Sequence, residues 1–550
     1  MFSRALRIGW LLVGLCVAWP TYAQVWQWVA PVSTVVSSET KDHPQAFLWI
    51  PDNCRYVRGV VVGQHNMLEE GIFEHPDFRK TMRELGFAIV WVTPMINQTF
   101  DWSPTATTKG AGIEFTDMMN RLADVSGYSE LSIAPVVPLG HSALASYPWN
   151  FAAWNPGRTL AIISVHGDAP QTKLTGSGRP NPDWVGPSHG GRTIDGVPGL
   201  MVMGEYEWWE DRLAPAFAYV DKHPKTPFSL LADAGRGHFD FSDAMVRYLA
   251  LYIWKAAQYR LSNPSNQADT VVLTPIDPQK GWLMDRWRKD SLPTAAPAPY
   301  LDYKGDRKVA SWCFDKEMAQ ATEAIYRQAR AKKPQYLGFR QNGQFLKPTK
   351  GHANYQVSFL PNADGITFHL SSAFTDTSRV RATSAHARTP IRIDRICGPV
   401  RKLDDTTFQL SFYRMGFNNP KRSNDIWLLA SNDGDATYKS IVQQADLRFP
   451  IANKEGKPQT ITFPDVPDQG VSTKSLTLRA VSSAGLPVQY YVKAGPATVE
   501  GNQLVFTPIP PRSRRPVAVT VVAWQYGTSV GDKVQSATPV EQTFLIQPRR

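Results

Sequence analysis

Pro138-Leu139-Gly140-His141-Ser142-Ala143-Leu144-Ala145 places a serine between an apolar, strand-like run and a helix-like run. A sharp strand-to-helix turn at that point lifts the Ser142 Oγ above a sheet and leaves the Ala143 N–H free to donate to an oxyanion. Gly-x-Ser alone is a common triplet, and the residue two places after the serine is Leu144, where such turns usually carry glycine. A serine opening a helix is also a preferred N-cap, so the reading depends on the downstream residues.

Two later stretches supply the rest. Pro198-Gly199-Leu200-Met201-Val202-Met203-Gly204-Glu205-Tyr206-Glu207 reads as a buried strand ending on a turn rich in carboxylates, and Gly235-Arg236-Gly237-His238 as a glycine-rich loop ahead of a helix. A serine hydroxyl needs an imidazole to take its proton, and the imidazole needs a carboxylate to fix its tautomer and stabilise its cation. The chain order serine, acid, histidine, carried by these three motifs, resembles the α/β-hydrolase family over about residues 46 to 262. The resemblance implies Ser142 as nucleophile, His238 as base and an acid just past the strand. That position favours Glu207, with Glu205 as the first alternative and Asp168, in Val165-His166-Gly167-Asp168, as the second.

The family takes its second oxyanion donor from the loop after an earlier strand. Here Gly59-Val60-Val61-Val62-Gly63 breaks into Gln64-His65-Asn66-Met67, without the glycine that often follows the histidine. The backbone N–H groups of Asn66 or Met67 are the expected donors, with Gln64 and His65 as substrate contacts; a polar loop without a task fits the same letters. Leu144 predicts a clash beneath the serine turn unless the helix shifts or the small Ala145 takes over the close contact.

Fold class follows from the alternation around these motifs. Gly59–Gly63, Phe87–Val92, Val136–Leu139, Leu160–Val165 and Leu200–Met203 are short apolar runs with turn residues after them, as buried parallel strands are. Beyond His238, Met245, Tyr248, Leu249, Tyr252, Ile253, Ala256 and Tyr259 recur at helical spacing and read as core packing. This is an α/β pattern, an α/β-hydrolase domain followed by all-β C-terminal domains.

At 550 residues the chain exceeds one core. Residues 24 to 45 read as a lead-in, 46 to 262 as the hydrolase-like domain, and 263 to 350 as a connecting and covering segment with an exposed helix over Asp315–Lys332. Residues 351 to 455 form a β-rich domain. From 456 to 550, Gln459-Thr460-Ile461-Thr462-Phe463-Pro464, Gly495-Pro496-Ala497 and Val521-Val522-Ala523-Trp524-Gln525 resemble bacterial immunoglobulin-like repeats. The resemblance implies a β-sandwich serving as a spacer or adhesion module.

Met1-Phe2-Ser3-Arg4, an apolar run from Ile8 to Trp19 and Thr21-Tyr22-Ala23 read as a secretory signal peptide cleaved after Ala23, for a secreted or periplasmic protein with no later run long enough for membrane insertion. Cys54, Cys313 and Cys397 remain; in an oxidising compartment the simplest expectation is one disulfide and one buried thiol, in no particular pairing. No Cys/His cluster has metal-ligand spacing, and no cofactor is expected. The formal charge of +11 is spread along the chain, apart from clusters such as Arg512-Ser513-Arg514-Arg515. Export and the lack of an aromatic-basic motif argue against nucleic acid, which leaves an anionic polysaccharide or cell-surface material as the natural acidic partner.

The expected function is hydrolysis of carboxylic esters on a decorated polysaccharide, with Trp149, Trp208 and Trp209 near the proposed turns as sugar-stacking candidates. A peptidase or polyester hydrolase would use the same machinery. A non-catalytic carbohydrate-binding or surface protein on a degenerate scaffold is the alternative that Leu144 and the altered loop keep open.

Overall fold

Valine-, isoleucine- and leucine-rich runs build one eight-stranded sheet in the computed structural model, which describes residues 25–103, 110–171, 181–186, 188–207, 210–261, 271–289 and 291–548. Its strands are β1 (Trp28–Pro31), β2 (Gln45–Trp49), β3 (Gly59–Gln64), β4 (Phe87–Thr93), β5 (Val136–His141), β6 (Ile162–Val165), β7 (Gly199–Gly204) and β8 (Phe228–Asp233). They lie in the order β1-β2-β4-β3-β5-β6-β7-β8. β1 and β2 run antiparallel at one edge, and β4, β3 and β5 to β8 are mutually parallel. Helices α1 (Glu69–Glu74), α2 (Pro76–Leu85), α3 (Ala111–Ser126), α4 (Tyr147–Trp154), α5 (Glu210–Lys222) and α6 (Asp243–Arg260) connect the strands and cover the sheet.

Alternate side chains of each strand enter opposite layers. Val60, Val62, Ala88 and Val90 pack with Met118 and Leu122 of α3, whereas Val61, Ile89 and Trp91 pack with Met82 of α2 and Leu249 of α6. Burial on both faces is why the strands read as continuous apolar runs instead of alternating ones. Strand order, covered faces and the position of Ser142 just beyond β5 make this an α/β-hydrolase fold.

The five expected parallel strands lie within about two residues of their anticipated bounds, and the structure adds β1, β2 and β8. β1 falls in the segment read as a lead-in, so that segment supplies an edge strand. The segment read as connecting does more than connect. Its Trp287, Trp312 and, on α7 (Lys316–Arg327), Met318 join the same core as β7 and β8. It also closes the open edge of β8: the Leu230 N–H donates to Ser311 Oγ (2.8 Å) and the Ala232 N–H to the Tyr326 hydroxyl (3.2 Å). Unpaired edge groups would otherwise invite pairing with another chain.

Beyond α7 the described elements are all strands. A four-stranded sheet built on Asp425–Asn432 and Ile441–Arg448 shares a core with two three-stranded sheets around Phe339, Phe368 and Phe408. At the C-terminus a four-stranded sheet and a three-stranded sheet enclose Leu504, Val519, Val521 and Phe544, a sandwich. Part of the Arg512–Arg515 cluster lies against the hydrolase-like domain, where Arg512 Nη1 is 3.1 Å from Glu130 and the Arg514 N–H donates to the Ser126 carbonyl at the end of α3.

The cysteines correct an expectation. Cys54, Cys313 and Cys397 are all free and buried. Cys54 sits in the α3 layer and the other two in the layer that includes α6 and α7. Burial pushes the Cys54 thiol up to about 11 and the Cys397 thiol up to about 12, away from reactive thiolate. The expected signal peptide, residues 1–23, lies outside the described residues. Among the described residues no helix is long and apolar enough to cross a membrane.

Candidate active site

β5 ends at His141, and the chain turns through a single 3-10 turn, Ser142–Leu144, before α4. Ser142 occupies the left-handed region with φ of 54°, a conformation that a non-glycine residue adopts only where surrounding contacts enforce it. Those contacts are specific. A Cβ on Gly140 would meet the Leu144 carbonyl oxygen at 2.1 Å, so the chain folds back over Gly140. Leu144 itself is fully buried, and the close approach passes to Ala145, whose Cβ would lie 1.8 Å from a Cβ placed on Gly167. Ala145 and Gly167 thus provide the room that a glycine at position 144 would have given.

The three chain-distant motifs converge at this turn. Ser142 Oγ lies 2.6 Å from His238 Nε2, and His238 Nδ1 lies 2.7 Å from Glu207 Oε2. The His238 loop reaches the acid turn because Gly204 has no side chain: its Cβ would sit 2.3 Å from the Gly237 carbonyl oxygen. The Tyr206 N–H donates to the Arg236 carbonyl (2.9 Å) and the Glu205 N–H to the Asp233 carbonyl (3.1 Å), tying the two turns together. Asp240 Oδ2 accepts from the Gly237 N–H (2.9 Å) and holds the histidine loop from its other side.

Two further histidines surround the relay, and the sequence reading gives neither a role. His166, at the end of β6 with φ of 48°, places Nδ1 2.6 Å from Glu207 Oε1, which also accepts from the Gly204 N–H at 2.8 Å. Both carboxylate oxygens are therefore engaged, one by each imidazole. Burial alone would raise the Glu207 carboxyl, but His166 and His238 outweigh it and hold it well below the usual carboxylate range. For His166 burial acts downward, yet Glu207 prevails and holds the ring above the ordinary histidine value. His141 Nε2 lies 2.9 Å from the His238 carbonyl oxygen, which only accepts, so that nitrogen carries the proton. Its burial, with His238 and His166 nearby, keeps the His141 ring well below the usual histidine range and neutral.

The alternative acids have other partners. Glu205 is buried and accepts from the Gly235 N–H (2.8 Å) and from Lys439 Nζ of the β-rich domain (2.6 Å). Among the described residues the Asp168 carboxylate has one long hydrogen bond, from Ser146 Oγ at 3.5 Å. Glu207 is the acid placed against His238.

The loop after β3 corrects the expected oxyanion donors. The N–H groups of Asn66 and Met67 both donate to Glu69 Oε2 (3.0 Å each), and Glu69 Oε1 accepts from the His141 N–H (2.8 Å). Glu69 is buried at the start of α1, and burial lifts its carboxyl to about 7 against the pull of these backbone donors. Ala143 makes no backbone hydrogen bond to another described residue, and its N–H remains the one available donor of the three.

The expected substrate contacts are corrected as well. Gln64 accepts from the Ile96 and Asn97 N–H groups and shapes its own loop. His65 is buried, edge-on to Trp91, with Nδ1 3.1 Å from Thr93 Oγ1. Trp149 is buried and donates to the Asp168 carbonyl (2.8 Å), so its face is core. Trp208 and Trp209 lie outside the described residues. Among those described, no group of three His, Cys, Asp or Glu side chains is placed to hold a metal ion.

A cleft of about 870 Å³ opens beside the relay, between the turns carrying Glu207 and His238 on one side and Gln335 with the β-rich domain's Arg379 and Gln443 on the other. Phe239 forms part of its wall and packs on His238 (4.4 Å between ring centroids) and on Trp427 (5.0 Å); Ser142 is not part of the wall.

No protein-family model matches the chain, and no curated protein matches it. Among solved structures it is similar to an S-formylglutathione hydrolase from Agrobacterium tumefaciens, at 14% identity and a TM-score of 0.31, over 42% of this chain and 94% of that one. It is also similar to a poly(3-hydroxybutyrate) depolymerase from Bordetella parapertussis, at 13% identity and a TM-score of 0.29, over 44% and 97%. A hyperthermophilic esterase from Pyrobaculum calidifontis gives 15% identity and a TM-score of 0.28, over 43% and 88%. The assignment of the fold rests on the strand order and the serine turn, independently of these likenesses.

Proposed function

We propose that this chain is an exported serine hydrolase that cleaves carboxylic esters on a polysaccharide. The observation that carries the reading is the hydrogen-bonded run Ser142 Oγ, His238 Nε2, His238 Nδ1, Glu207 Oε2, with contacts of 2.6 and 2.7 Å. His238 takes the hydroxyl proton as Ser142 Oγ bonds to the ester carbonyl carbon. The carbonyl oxygen gathers negative charge beside the Ala143 N–H, and the alkoxide leaves with the proton that His238 holds. Water then attacks the acyl-serine: His238 takes its proton, the acid departs, and the proton returns to Ser142 Oγ. Glu207 stays ionised throughout and stabilises the imidazolium, consistent with its low-lying carboxyl.

The polysaccharide half of the reading draws on the export signal expected at residues 1–23, on the appended β domains, and on a cleft that joins aromatic and polar walls. One observation favours a second reading, a non-catalytic binding protein on this scaffold: Glu69 occupies the Asn66 and Met67 N–H groups, which leaves Ala143 as the single backbone oxyanion donor of the three. Fluorophosphonate labelling and turnover of short-chain nitrophenyl esters and acetylated polysaccharide separate the two. Labelling and turnover lost in Ser142→Ala, with turnover reduced in Glu207→Gln, are expected for the hydrolase. Turnover indifferent to Ser142, or none on any ester, would leave the binding protein.

A further inference from the structure

Three carboxylates, Glu205, Glu207 and Glu210, and three cations, Lys289, Arg379 and Lys439, are among the described residues that line the inter-domain cleft, and they are not paired with one another one to one. Glu207 is held by His166 and His238, Glu205 is 2.6 Å from Lys439 Nζ, and both Glu210 carboxylate oxygens lie 2.9 Å from Arg286 Nη1. Arg379 and the exposed Lys289, in the same lining, have no carboxylate within ion-pair distance among the described residues. Among the described residues each of the three carboxylates therefore has a cationic or imidazole partner, in part from Arg286 and His166 behind the wall, and Arg379 and Lys289 have no acid.

Arg379 is also presented by a shaped backbone. It lies in the left-handed region with φ of 61°; its N–H donates to the Asp376 carbonyl (3.0 Å), and its own carbonyl accepts from the Tyr355 hydroxyl (3.0 Å). Among the described residues its guanidinium donates to the Gln443 Oε1, 3.5 Å from Nη1. That amide cannot readily turn, because Gln443 Nε2 donates to the Ala353 and Gln444 carbonyls. A neutral oxygen orients the guanidinium without neutralising it. The neighbouring Gln444 Nε2 donates to Asp240 Oδ2 (3.0 Å), the carboxylate that holds the His238 loop, so the wall bearing Arg379 is tied to the catalytic loop.

We propose that this cleft binds a carboxylate carried by a sugar unit of the substrate, with Arg379 as its partner and Lys289 adding charge. The inference rests on the ester-hydrolase reading for the direction in which the substrate extends, from Ser142 past His238 into the cleft. It gives the β-rich domain a task, because Arg379 and Gln443 belong to it. A guanidinium fork matches a planar carboxylate, which a lysine ammonium does not.

The test uses the full-length Ser142→Ala protein, so that binding is read without turnover and does not depend on the catalytic assignment. Digalacturonate and the neutral galactose disaccharide are titrated calorimetrically into this background and into the same background carrying Arg379→Gln, Arg379→Lys or Lys289→Gln. Digalacturonate is expected to bind more tightly than the neutral sugar and to lose about tenfold in affinity with Arg379→Gln. Arg379→Lys should recover part of that loss, and added salt should weaken the binding. Unchanged affinity in a folded Arg379→Gln protein, equal binding of the two sugars, no binding of either, or equal competition by inorganic phosphate would overturn the proposal. If Arg379→Gln melts early, Lys289→Gln, at an exposed site, gives the same comparison with a smaller expected loss. A hydrolase that turns over neutral esters yet binds no digalacturonate would leave the catalytic reading standing and remove this one.

Discussion

His166 Nδ1 and Glu207 Oε1 lie 2.6 Å apart, while the other oxygen of the same carboxylate lies 2.7 Å from His238 Nδ1. One buried carboxylate is thus shared between the imidazole that would move protons and a second imidazole that has no route to Ser142. The second ring fixes the plane of the carboxylate and supplies the charge that keeps it ionised in a site where burial alone would favour protonation. His166 Nε2 is buried and has no hydrogen-bond partner among the described residues, so the ring's polar commitment is to Glu207 alone.

His166→Ala removes the hydrogen bond and the charge. Loss of one charge-assisted bond corresponds to roughly ten- to a hundredfold in kcat/KM toward a nitrophenyl ester. With the cation gone, the Glu207 carboxyl rises and the acid limb of the pH–rate profile moves to higher pH. His166→Asn tolerates the positive φ and keeps a neutral donor, so it should recover part of kcat/KM while leaving the acid limb displaced. An unmoved acid limb in both variants would show that His166 only fills space.

The same pair predicts a pH dependence of stability. His166 has a raised folded value, so its contribution is full below the unfolded histidine value near ~6.5 and is lost as pH climbs through the folded value. Glu207 has a depressed value, so its contribution is present above ~4.3 and lost as pH falls through the folded value. The rings of His141 and His238 and the carboxylates of Asp233 and Asp240 also act on His166 or Glu207 and broaden the transitions. The Tm difference between wild type and His166→Ala should be widest between about pH 4.3 and 6.5 and shrink on going alkaline. A difference independent of pH would contradict a charged His166.

Glu205 and Lys439 join the hydrolase-like domain to the β-rich domain through a buried contact of 2.6 Å. Lys439→Met strands the carboxylate with the Gly235 N–H as its remaining partner among those described, and should destabilise by about 3–5 kcal/mol in chemical denaturation. Adding Glu205→Gln should recover much of that loss, since an uncompensated buried charge is the main cost. Additive losses in the double variant would show that the pair is not coupled.

The fold is legible where burial is simplest. β3 to β7 are covered on both faces and therefore read as unbroken apolar runs with glycine or polar residues after them. β8, Phe228–Asp233, is equally buried, but its serine bonds to the Trp312 carbonyl and its N–H groups meet side chains some eighty residues later, a partner no local pattern announces. β1 and the Ser311–Cys313 strand are short edge pieces of the same kind. Ser142, Glu207 and His238 are legible because each sits on a turn at the end of an element. His166 stands two residues before Asp168 in the run that suggested an acid there, and its place at the end of β6 is the available signal. Nothing local shows that the N–H groups of Asn66 and Met67 turn to Glu69, because Glu69 reads as one more acid in the first turn of a helix.

Gly167 and Ala145 answer for the leucine that stands where a glycine was expected. A methyl group on Gly167 would meet the Ala145 Cβ at 1.8 Å, far inside contact distance, and the Ser164 Oγ at 3.4 Å. Gly167→Ala must therefore push the Ser142–Leu144 turn away from β6. Overpacking of this kind costs about 1–3 kcal/mol, and a displacement near ~1 Å at Ser142 is enough to lower kcat about a hundredfold. The double variant Gly167→Ala, Ala145→Gly exchanges the methyl between the two sides of the contact and should restore most of the activity, though not all of the stability, since glycine in place of alanine costs about 0.5–1 kcal/mol in backbone entropy. Ala145→Gly alone should leave the relay in place and melt slightly earlier. Recovery of nitrophenyl ester turnover in the double variant, beside its loss in Gly167→Ala, would establish that this contact carries the serine turn. No recovery would mean that Gly167 acts through some other neighbour, of which the Ser164 hydroxyl is the nearest remaining.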